Sequence, residues 1–257
     1  RTNDWEVVNY NALELALWMA YARMGFLLPA LTEEKFANQR DVVLNERRQN
    51  YENRPYGMAG LALVAALFPG DHPYHWPTIG SPDDLLAATA DDVRAFFRRF
   101  YHPANASLAI AGDVDAGRAL ELAAAYFGDI PGGEPPALVP RAPARAVPAR
   151  RLIEDRVELP RLYLGWLSPA MYAGGDAELD LLGDVLATGK ASRLYRSLVY
   201  DRRIATDVAA YQGSRELGSS FQIVATAVPG VGLGVLEEAI HAEVARVRAD
   251  DISADEL

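Results

Sequence analysis

The chain has 257 residues, of which 50% are hydrophobic and 23% are charged. This composition can form a sizeable buried core, which excludes an intrinsically disordered chain. The formal net charge of −10 is a poor match for a phosphate backbone, so nucleic acid is not expected as a partner. The absence of cysteine excludes disulfides, thiol catalysis and cysteine-ligated zinc. No apolar run reaches the length of about 18 residues that indicates a transmembrane helix.

The two ends of the sequence indicate a piece of a longer protein. The chain begins at Arg1 and continues directly into a strand-like run over residues 2–8. It stops at Leu257, just after Ser253 and Glu256 form the pattern of a helix start, a serine cap followed three residues later by an acid. We therefore expect truncation at both ends, and a signal peptide would have been lost with the N-terminal part.

The first part of the chain is predicted to be mostly helical. Apolar residues recur there at helical spacing, and capping residues or breakers bound each segment. The predicted helices cover residues 11–24, 33–53, 58–68, 90–101 and 115–127. One buried strand is predicted at residues 106–111, directly before Gly112.

A proline-rich segment is the clearest boundary in the sequence. Residues 131–148 contain six prolines and few large apolar side chains, which is typical of an extended, semi-rigid linker. Beyond it, strands are predicted at residues 151–159, 161–167, 206–212 and 220–227, and helices at residues 177–187, 192–200 and 231–248. The sequence thus predicts a first domain at 1–130, a linker at 131–150 and a second domain at 151–257, both of the α/β (α+β) class.

The predicted helix at residues 33–53 carries an unusual polar stripe. Positions spaced alternately by three and four residues share one face of a helix. In this helix they are Phe36, Gln39, Val43, Glu46, Asn50 and Asn53. The stripe places amides and a carboxylate where core residues would be expected, and a buried carboxylate is costly unless it is paired or bound to metal. The spacing alone favours a solvated face on which Glu46 pairs with an arginine, and it leaves a metal ligand as the alternative.

The histidines do not form a metal-binding motif. His72 and His75 lie in a proline-rich loop, whereas His102 and His241 each stand alone. The sequence contains no H-x-x-x-H, H-x-x-E-H or H-E-x-x-H, so we assign no histidine to a metal. The glycine-rich residues 229–234 lack the lysine of a phosphate-binding loop and are interpreted as a loop that starts a helix.

Several short sequence motifs (called phrases below) occur along the chain in the same order as in one known family. They are residues 23–24, 42–49, 53–57, 72–74, 101–105, 112–113, 126–128, 192–195 and 255–257. In this order they resemble the pitrilysin/insulinase family of zinc metallopeptidases, the inverzincins, and within it bacterial processing-peptidase-like members. Because the phrases extend over nearly the whole chain, the resemblance is more specific than any single motif.

The resemblance implies both a fold and a metal site. The fold is a two-layer α/β sandwich domain of the metallopeptidase/processing-peptidase type, used twice. The site holds one Zn²⁺ between two histidines of an H-x-x-E-H helix and a glutamate on a later helix, which maps onto Glu46. On that inward-facing line the zinc would compensate the carboxylate, and Gln39 and Asn50 are expected to orient ligands without adding charge.

One large departure from the family affects catalysis. The H-x-x-E-H motif, which provides two zinc ligands and the glutamate that acts as general base, is absent from this sequence. Catalytic zinc sites use about three protein ligands, so the chain as given is expected to be inactive and to contain no catalytic residue. In the complete protein, the missing glutamate would deprotonate a zinc-bound water that attacks a peptide carbonyl.

Two functions remain open at this point. The first is a zinc-dependent endopeptidase that hydrolyses extended peptides. The second is a non-catalytic structural or assembly subunit of the same fold, with a degraded metal site. Retention of Glu46 favours the peptidase. Bacterial relatives of this kind are often exported, so a periplasmic or exported location is expected.

The resemblance also implies a protein partner. In the family, an arginine and a tyrosine seven residues later contact the substrate from a domain without zinc. Aligning residues 198–206 with that segment puts Val199 at the arginine position and Thr206 at the tyrosine position, and neither can replace the missing donor. We expect a homologous second subunit to supply the Arg–Tyr pair in a heterodimer. The alternative is that Arg202 or Tyr200 takes over after a shift in register.

Overall fold

The structure is a computed structural model that describes residues 2–137, 147–250, 252, 253 and 256. The helices within these residues are α1 (Leu13–Ala30), α2 (Glu33–Arg47), α3 (Gly57–Leu67), α4 (Pro82–Ala87), α5 (Ala90–Phe100), α6 (Ala116–Phe127), α7 (Asp176–Ala187) and α8 (Leu233–Ala249). The strands are β1 (Arg161–Ser168), β2 (Ala205–Gly213) and β3 (Ser219–Ala227). Two segments are π-helical: Arg48–Glu52, which continues α2, and Tyr195–Asp201. No single helix in the described part is both long and apolar enough to cross a membrane, and α1 and α2 pass that test only together, as a bent pair.

The chain divides into two compact units, Arg1–Leu44 with Ser81–Val139, and Asn45–Gly80 with Pro140–Leu257. Residues 45–80 therefore group with the second half of the chain, which the sequence pattern does not indicate. The predicted domains, 1–130 and 151–257, stay a prediction. The linker at 131–150 includes residues 138–146, which lie outside the described residues.

In the first unit, α1 packs against α6. The ring centroid of Tyr21 lies 5.6 Å from that of Tyr126, whose hydroxyl donates to Glu14 at 3.1 Å. Helix α5 begins at a reciprocal cap, in which the Thr89 hydroxyl accepts the N–H of Asp92 and the Asp92 carboxylate accepts the N–H of Thr89. Such a cap satisfies N–H groups that have no partner within the helix.

In the second unit, the strands form an antiparallel sheet in the order β1–β3–β2. Ile223 on the central strand β3 pairs with Leu164 of β1 and with Ala210 of β2. The main core of this unit lies between the sheet and three helical elements: α7 and the π-helical segment Tyr195–Asp201, which come between β1 and β2, and α8, which follows β3. Its large, fully buried side chains are Leu186, Leu194, Leu198, Ile223, Leu236 and Ile240.

Residues 45–80 join this unit through α3, which packs on β1. The contact starts at Tyr56, whose φ of 60° is uncommon for a residue other than glycine. Three interactions stabilise this conformation. The N–H of Tyr56 donates to Asp155 at 2.9 Å, its hydroxyl donates to the carbonyl of Leu159 at 2.8 Å, and the guanidinium of Arg161 lies 3.8 Å from the ring centroid.

The predicted fold class, α/β (α+β), is confirmed by this combination of helices with an antiparallel sheet. The strands predicted at residues 161–167, 206–212 and 220–227 are β1, β2 and β3, with boundaries correct to within one residue. The predicted helices are confirmed in place, but residues 48–52 of the helix predicted at 33–53 and most of residues 192–200 are π-helical. Helix α1 runs to Ala30, beyond the predicted end at residue 24, and α4 has no counterpart in the prediction.

Three extended segments were expected to be strands and are not. Residues 2–8, 106–111 and 151–159 carry no strand in the described structure. A strand exists only where its backbone groups pair with a neighbour, and apolar character cannot supply that neighbour. In the last segment, the Asp155 carboxylate accepts the N–H of its neighbour Arg156 and the N–H of Tyr56 from far along the chain, and neither contact is a backbone ladder.

The start of α3 provides a direct stability test. A Cβ atom on Gly57 would overlap with the carbonyl oxygen of Tyr51, which is a backbone atom that cannot rotate away. We expect Gly57→Ala to lower the free energy of unfolding by about 1–3 kcal/mol or more, measured by urea denaturation. Gly60, in the same helix, has open space around its Cβ position. Gly60→Ala should therefore stabilise the protein by about 0.5–1 kcal/mol, and equal effects of the two substitutions would contradict this account.

Candidate functional site

The three residues predicted for the metal site lie along α2 and its π-helical continuation. Gln39 and Glu46 are two turns apart on α2, and Asn50 follows in the segment Arg48–Glu52. All three side chains are exposed. The expectation that Glu46 lies on an inward-facing line is therefore wrong for this structure. The stripe does begin on a partly buried face, at Phe36 and Val43, but its polar members face solvent.

The buried charge at this point of the helix belongs to the next residue, Arg47. Its Nε donates to Oε1 of Glu52 at 3.0 Å, and its Nη1 donates to the carbonyl oxygen of Gly80 at 2.7 Å. Glu46 itself has no hydrogen bond or ion pair with any described residue. The alternative in which an arginine neutralises Glu46 is thus not seen in the described part of the chain, and the carboxylate is available to a ligand.

The described residues do not form a complete zinc site. Among them, no group of three or more His, Cys, Asp or Glu side chains could hold a metal ion. A catalytic zinc ion requires about three protein ligands. Zinc therefore does not fit these residues by themselves, and Glu46 can supply one ligand at most.

Two histidines of the second unit, His72 and His75, make structural contacts. His72 accepts the N–H of Tyr74 through Nδ1 at 3.1 Å, and its ring packs 4.9 Å from that of Phe68. Nδ1 of His75 lies 2.7 Å from the carbonyl oxygen of Phe68, a distance that requires the ring nitrogen to donate. The hydroxyl of Tyr74 accepts the N–H of Leu217 at 3.1 Å. The phrase His72-Pro73-Tyr74 therefore stabilises a turn against the rest of the unit.

The two positions aligned with the family's Arg–Tyr pair have structural roles here. Val199 packs against the core of the second unit. Thr206 lies at an irregularity in β2, between the paired residues Ala205 and Asp207, where its hydroxyl donates to Asp207 at 3.0 Å. A bulge of this kind redirects a side chain, but the threonine hydroxyl is already engaged. Neither residue offers a free donor.

Sequence reasoning missed a cavity next to these positions. Lys190, Tyr195, Arg196 and Tyr200 line an open cavity of about 430 Å³. Tyr200, an alternative donor from the sequence, is 72% exposed there. The signal that could have found this site is local charge, because residues 190–203 hold five Lys or Arg and a single acid.

A carboxylate clamp explains two further phrases, residues 192–195 and 255–257. Arg193 donates through Nε and Nη2 to the two carboxylate oxygens of Glu256 at 2.6 and 2.9 Å. The same carboxylate accepts the N–H and the hydroxyl of Ser253, each at 3.0 Å. Asp255 and Leu257 lie outside the described residues. These donors, first of all Arg193, lower the pKa of Glu256 from 4.5 to about 2.

Comparison with protein families gives a match over two thirds of the sequence. Residues 87–257 match the family model described as the peptidase M16 inactive domain. The zinc protease PqqE of Helicobacter pylori is 30% identical over 251 residues, which cover 95% of this chain and 55% of that protein. A Mycobacterium leprae protein described as an uncharacterized zinc protease is 30% identical over 229 residues, 85% of this chain and 49% of its own length. The chain spans about half the length of these two curated relatives.

Solved structures show the same fold. The crystal structure of a protease from Helicobacter pylori superposes with a TM-score of 0.83 at 28% identity, over 97% of this chain and 60% of that one. The periplasmic protease PqqL from Escherichia coli superposes with a TM-score of 0.72 at 18% identity, over 98% of this chain and 28% of that one. At such low identity the second match shows the fold alone.

The Arg193–Glu256 clamp predicts a pH-dependent contribution to stability. Because the folded pKa of Glu256 is depressed to about 2, the clamp stabilises the protein fully above about pH 4.5 and is lost as the pH falls towards 2. We expect Glu256→Gln to lower the thermal unfolding midpoint at pH 7 and to have a much smaller effect near pH 2. Glu216→Gln, at an exposed glutamate, is the matched control and should change little at either pH. An effect of Glu256→Gln that is equal at both pH values would contradict the ionic nature of the clamp.

Proposed function

We propose that this chain, which belongs to the peptidase M16 family, supplies one carboxylate ligand of a zinc-dependent endopeptidase that hydrolyses extended peptides. Glu46 is the ligand in this proposal, and Gln39 and Asn50 orient the groups around it. The other ligands and the general base come from an H-x-x-E-H helix outside this sequence. Residues 87–257, which match the inactive domain of the family, contribute to substrate binding and not to the chemistry.

The observation that supports this proposal is the contrast between Glu46 and its neighbour. Arg47 is buried and bound to Glu52 and Gly80, whereas the Glu46 carboxylate is exposed and without a partner among the described residues. A helix end fixed in this way limits where the carboxylate can move. An exposed and unpaired carboxylate on a fixed helix costs little to keep and is suited to bind a cation that approaches from outside the chain. Export to the bacterial periplasm stays a prediction that rests on the resemblance alone.

The ligand role of Glu46 predicts a selective loss of metal. In the complete gene product, Glu46→Gln should reduce bound zinc from about one equivalent to a small fraction and abolish peptidase activity, because a neutral amide replaces an anionic ligand. Metal content measured by atomic emission after extensive dialysis is the readout. The control is Asp41→Asn, an equal charge change at an exposed residue on a different face of α2, and it should leave both quantities unchanged.

Two results would contradict the proposal. Full zinc content and a normal rate in Glu46→Gln protein would exclude Glu46 as a ligand. A complete gene product that neither binds zinc nor cleaves unstructured peptides would support the other function, a non-catalytic subunit of the same fold.

We also propose that the active enzyme is a heterodimer with a homologous subunit. The support is that Val199 is packed in the core and that Thr206 is hydrogen-bonded within β2, so neither is a free donor for the substrate carbonyl. Loss of one oxyanion donor typically reduces the rate by about 10²–10³. The zinc-containing chain assayed alone on unstructured peptides should therefore be slower by about that factor than the mixture with its partner. Full activity of the isolated chain would contradict the heterodimer.

A further inference from the structure

The segment from Lys190 to Arg203 concentrates positive charge in an acidic chain. It contains five of the 25 Lys and Arg residues and only one of the 35 Asp and Glu residues, Asp201. The rest of the sequence is therefore even more acidic than the net charge of −10 indicates. A local excess of this kind attracts anions to one place on the surface.

Four side chains of this segment surround one open cavity. They are Lys190, Tyr195, Arg196 and Tyr200, which we call the cationic tyrosine pocket, and the open cavity that they line has a volume of about 430 Å³. This volume falls within the range of about 300–1,000 Å³ that is typical of ligand sites. Lys190, Arg196 and Tyr200 are exposed, so they can contact a ligand without rearrangement of the core.

Most of the positive charge here is not neutralised by the described residues. Lys190, Arg202 and Arg203 form no ion pair within the described part of the chain. Arg196 meets Asp201 at 3.8 Å, and both side chains are exposed, so that pair is weak. Arg193 is the exception, because the Glu256 carboxylate binds it at two atoms. The cations at and beside the pocket therefore remain available to an external anion.

We propose that the cationic tyrosine pocket binds an acidic segment of an extended peptide. The Lys190 ammonium and the Arg196 guanidinium would pair with the carboxylates of Asp or Glu side chains. The two tyrosine rings offer flat, amphipathic surfaces for the peptide backbone and for aliphatic carbons. The choice of a peptide as the ligand rests on the proposed function, and the pocket adds a substrate class to it, peptides that carry acidic residues.

Charge complementarity favours an acidic peptide over a nucleic acid. A nucleic acid carries a phosphate at every nucleotide and would extend past the pocket onto the acidic remainder of the chain. A short acidic segment carries a few carboxylates, which matches the few cations without an ion pair among the described residues, Lys190 in the pocket and Arg202 and Arg203 beside it in the sequence.

Fluorescence anisotropy with the metal-free chain tests this proposal. The probe is a fluorescein-labelled peptide with a run of glutamates, and the reference is the same peptide with glutamines. The glutamate peptide should bind at least about tenfold more tightly at low ionic strength, and added salt should remove most of that difference. Lys190→Glu combined with Arg196→Glu should weaken binding of the glutamate peptide by about tenfold or more.

A matched control separates the pocket from general charge effects. Arg156→Glu changes an exposed arginine just before β1. The pocket segment contacts β2, and β1 and β2 lie on opposite sides of β3, so the control is at the other edge of the sheet. This variant should retain wild-type binding. Circular dichroism should show that all variants are folded. If the variant with Lys190→Glu and Arg196→Glu is unfolded, the variant with Lys190→Gln and Arg196→Gln takes its place.

Three outcomes would overturn the proposal: equal binding of the two peptides, equal losses in the pocket and control variants, or tighter binding of a single-stranded oligonucleotide that depends on Lys190 and Arg196. Because binding is measured without metal, a failure here leaves the zinc ligand role of Glu46 untouched. If Glu46 is not a zinc ligand, the metal content of the Glu46→Gln protein shows it, and the peptide-binding assay is not affected.

Discussion

A buried guanidinium must have partners, and this requirement at Arg47 determines the geometry around the candidate metal ligand. Arg47 is only 8% exposed, and its guanidinium donates to both the Glu52 carboxylate and the carbonyl oxygen of Gly80. Removing those partners would leave an uncompensated charge in the interior, which is strongly unfavourable. The end of α2 is therefore fixed, and the adjacent residue, Glu46, lies about 100° further round the helix, where it is exposed.

The phrases that carry the family resemblance divide into structural and chemical ones. Tyr56 connects to Asp155 and the carbonyl of Leu159, and Arg193 binds Glu256 at two atoms. These contacts join segments that are far apart in the sequence, so they explain why the phrases occur throughout the chain. Glu46 differs, because no described residue uses its charge. A charged side chain without a structural role is the best candidate for function in such a set.

Local sequence signals predicted the elements that local chemistry determines. The caps at Thr89 and Asp115 are examples, since each depends on neighbours within a few positions. The strand predicted at residues 106–111 is absent from the described structure. Strand pairing depends on a distant partner, which the apolar character of the segment cannot reveal. Helical spacing identified the stripe that contains Glu46 but could not decide which face of α2 meets solvent. The pocket at Lys190 escaped notice because its signal is a sum of charges, which no motif describes.

The central claim is that Glu46 is the contribution of this chain to a zinc site completed by other residues. An anomalous difference map, recorded at the zinc absorption edge from crystals of the complete gene product, tests it most directly. We expect a single strong peak within about 2.0–2.2 Å of a Glu46 carboxylate oxygen, the usual zinc–carboxylate distance. A peak bound entirely by other side chains, or zinc-loaded crystals in which the Glu46 carboxylate remains solvated, would contradict it.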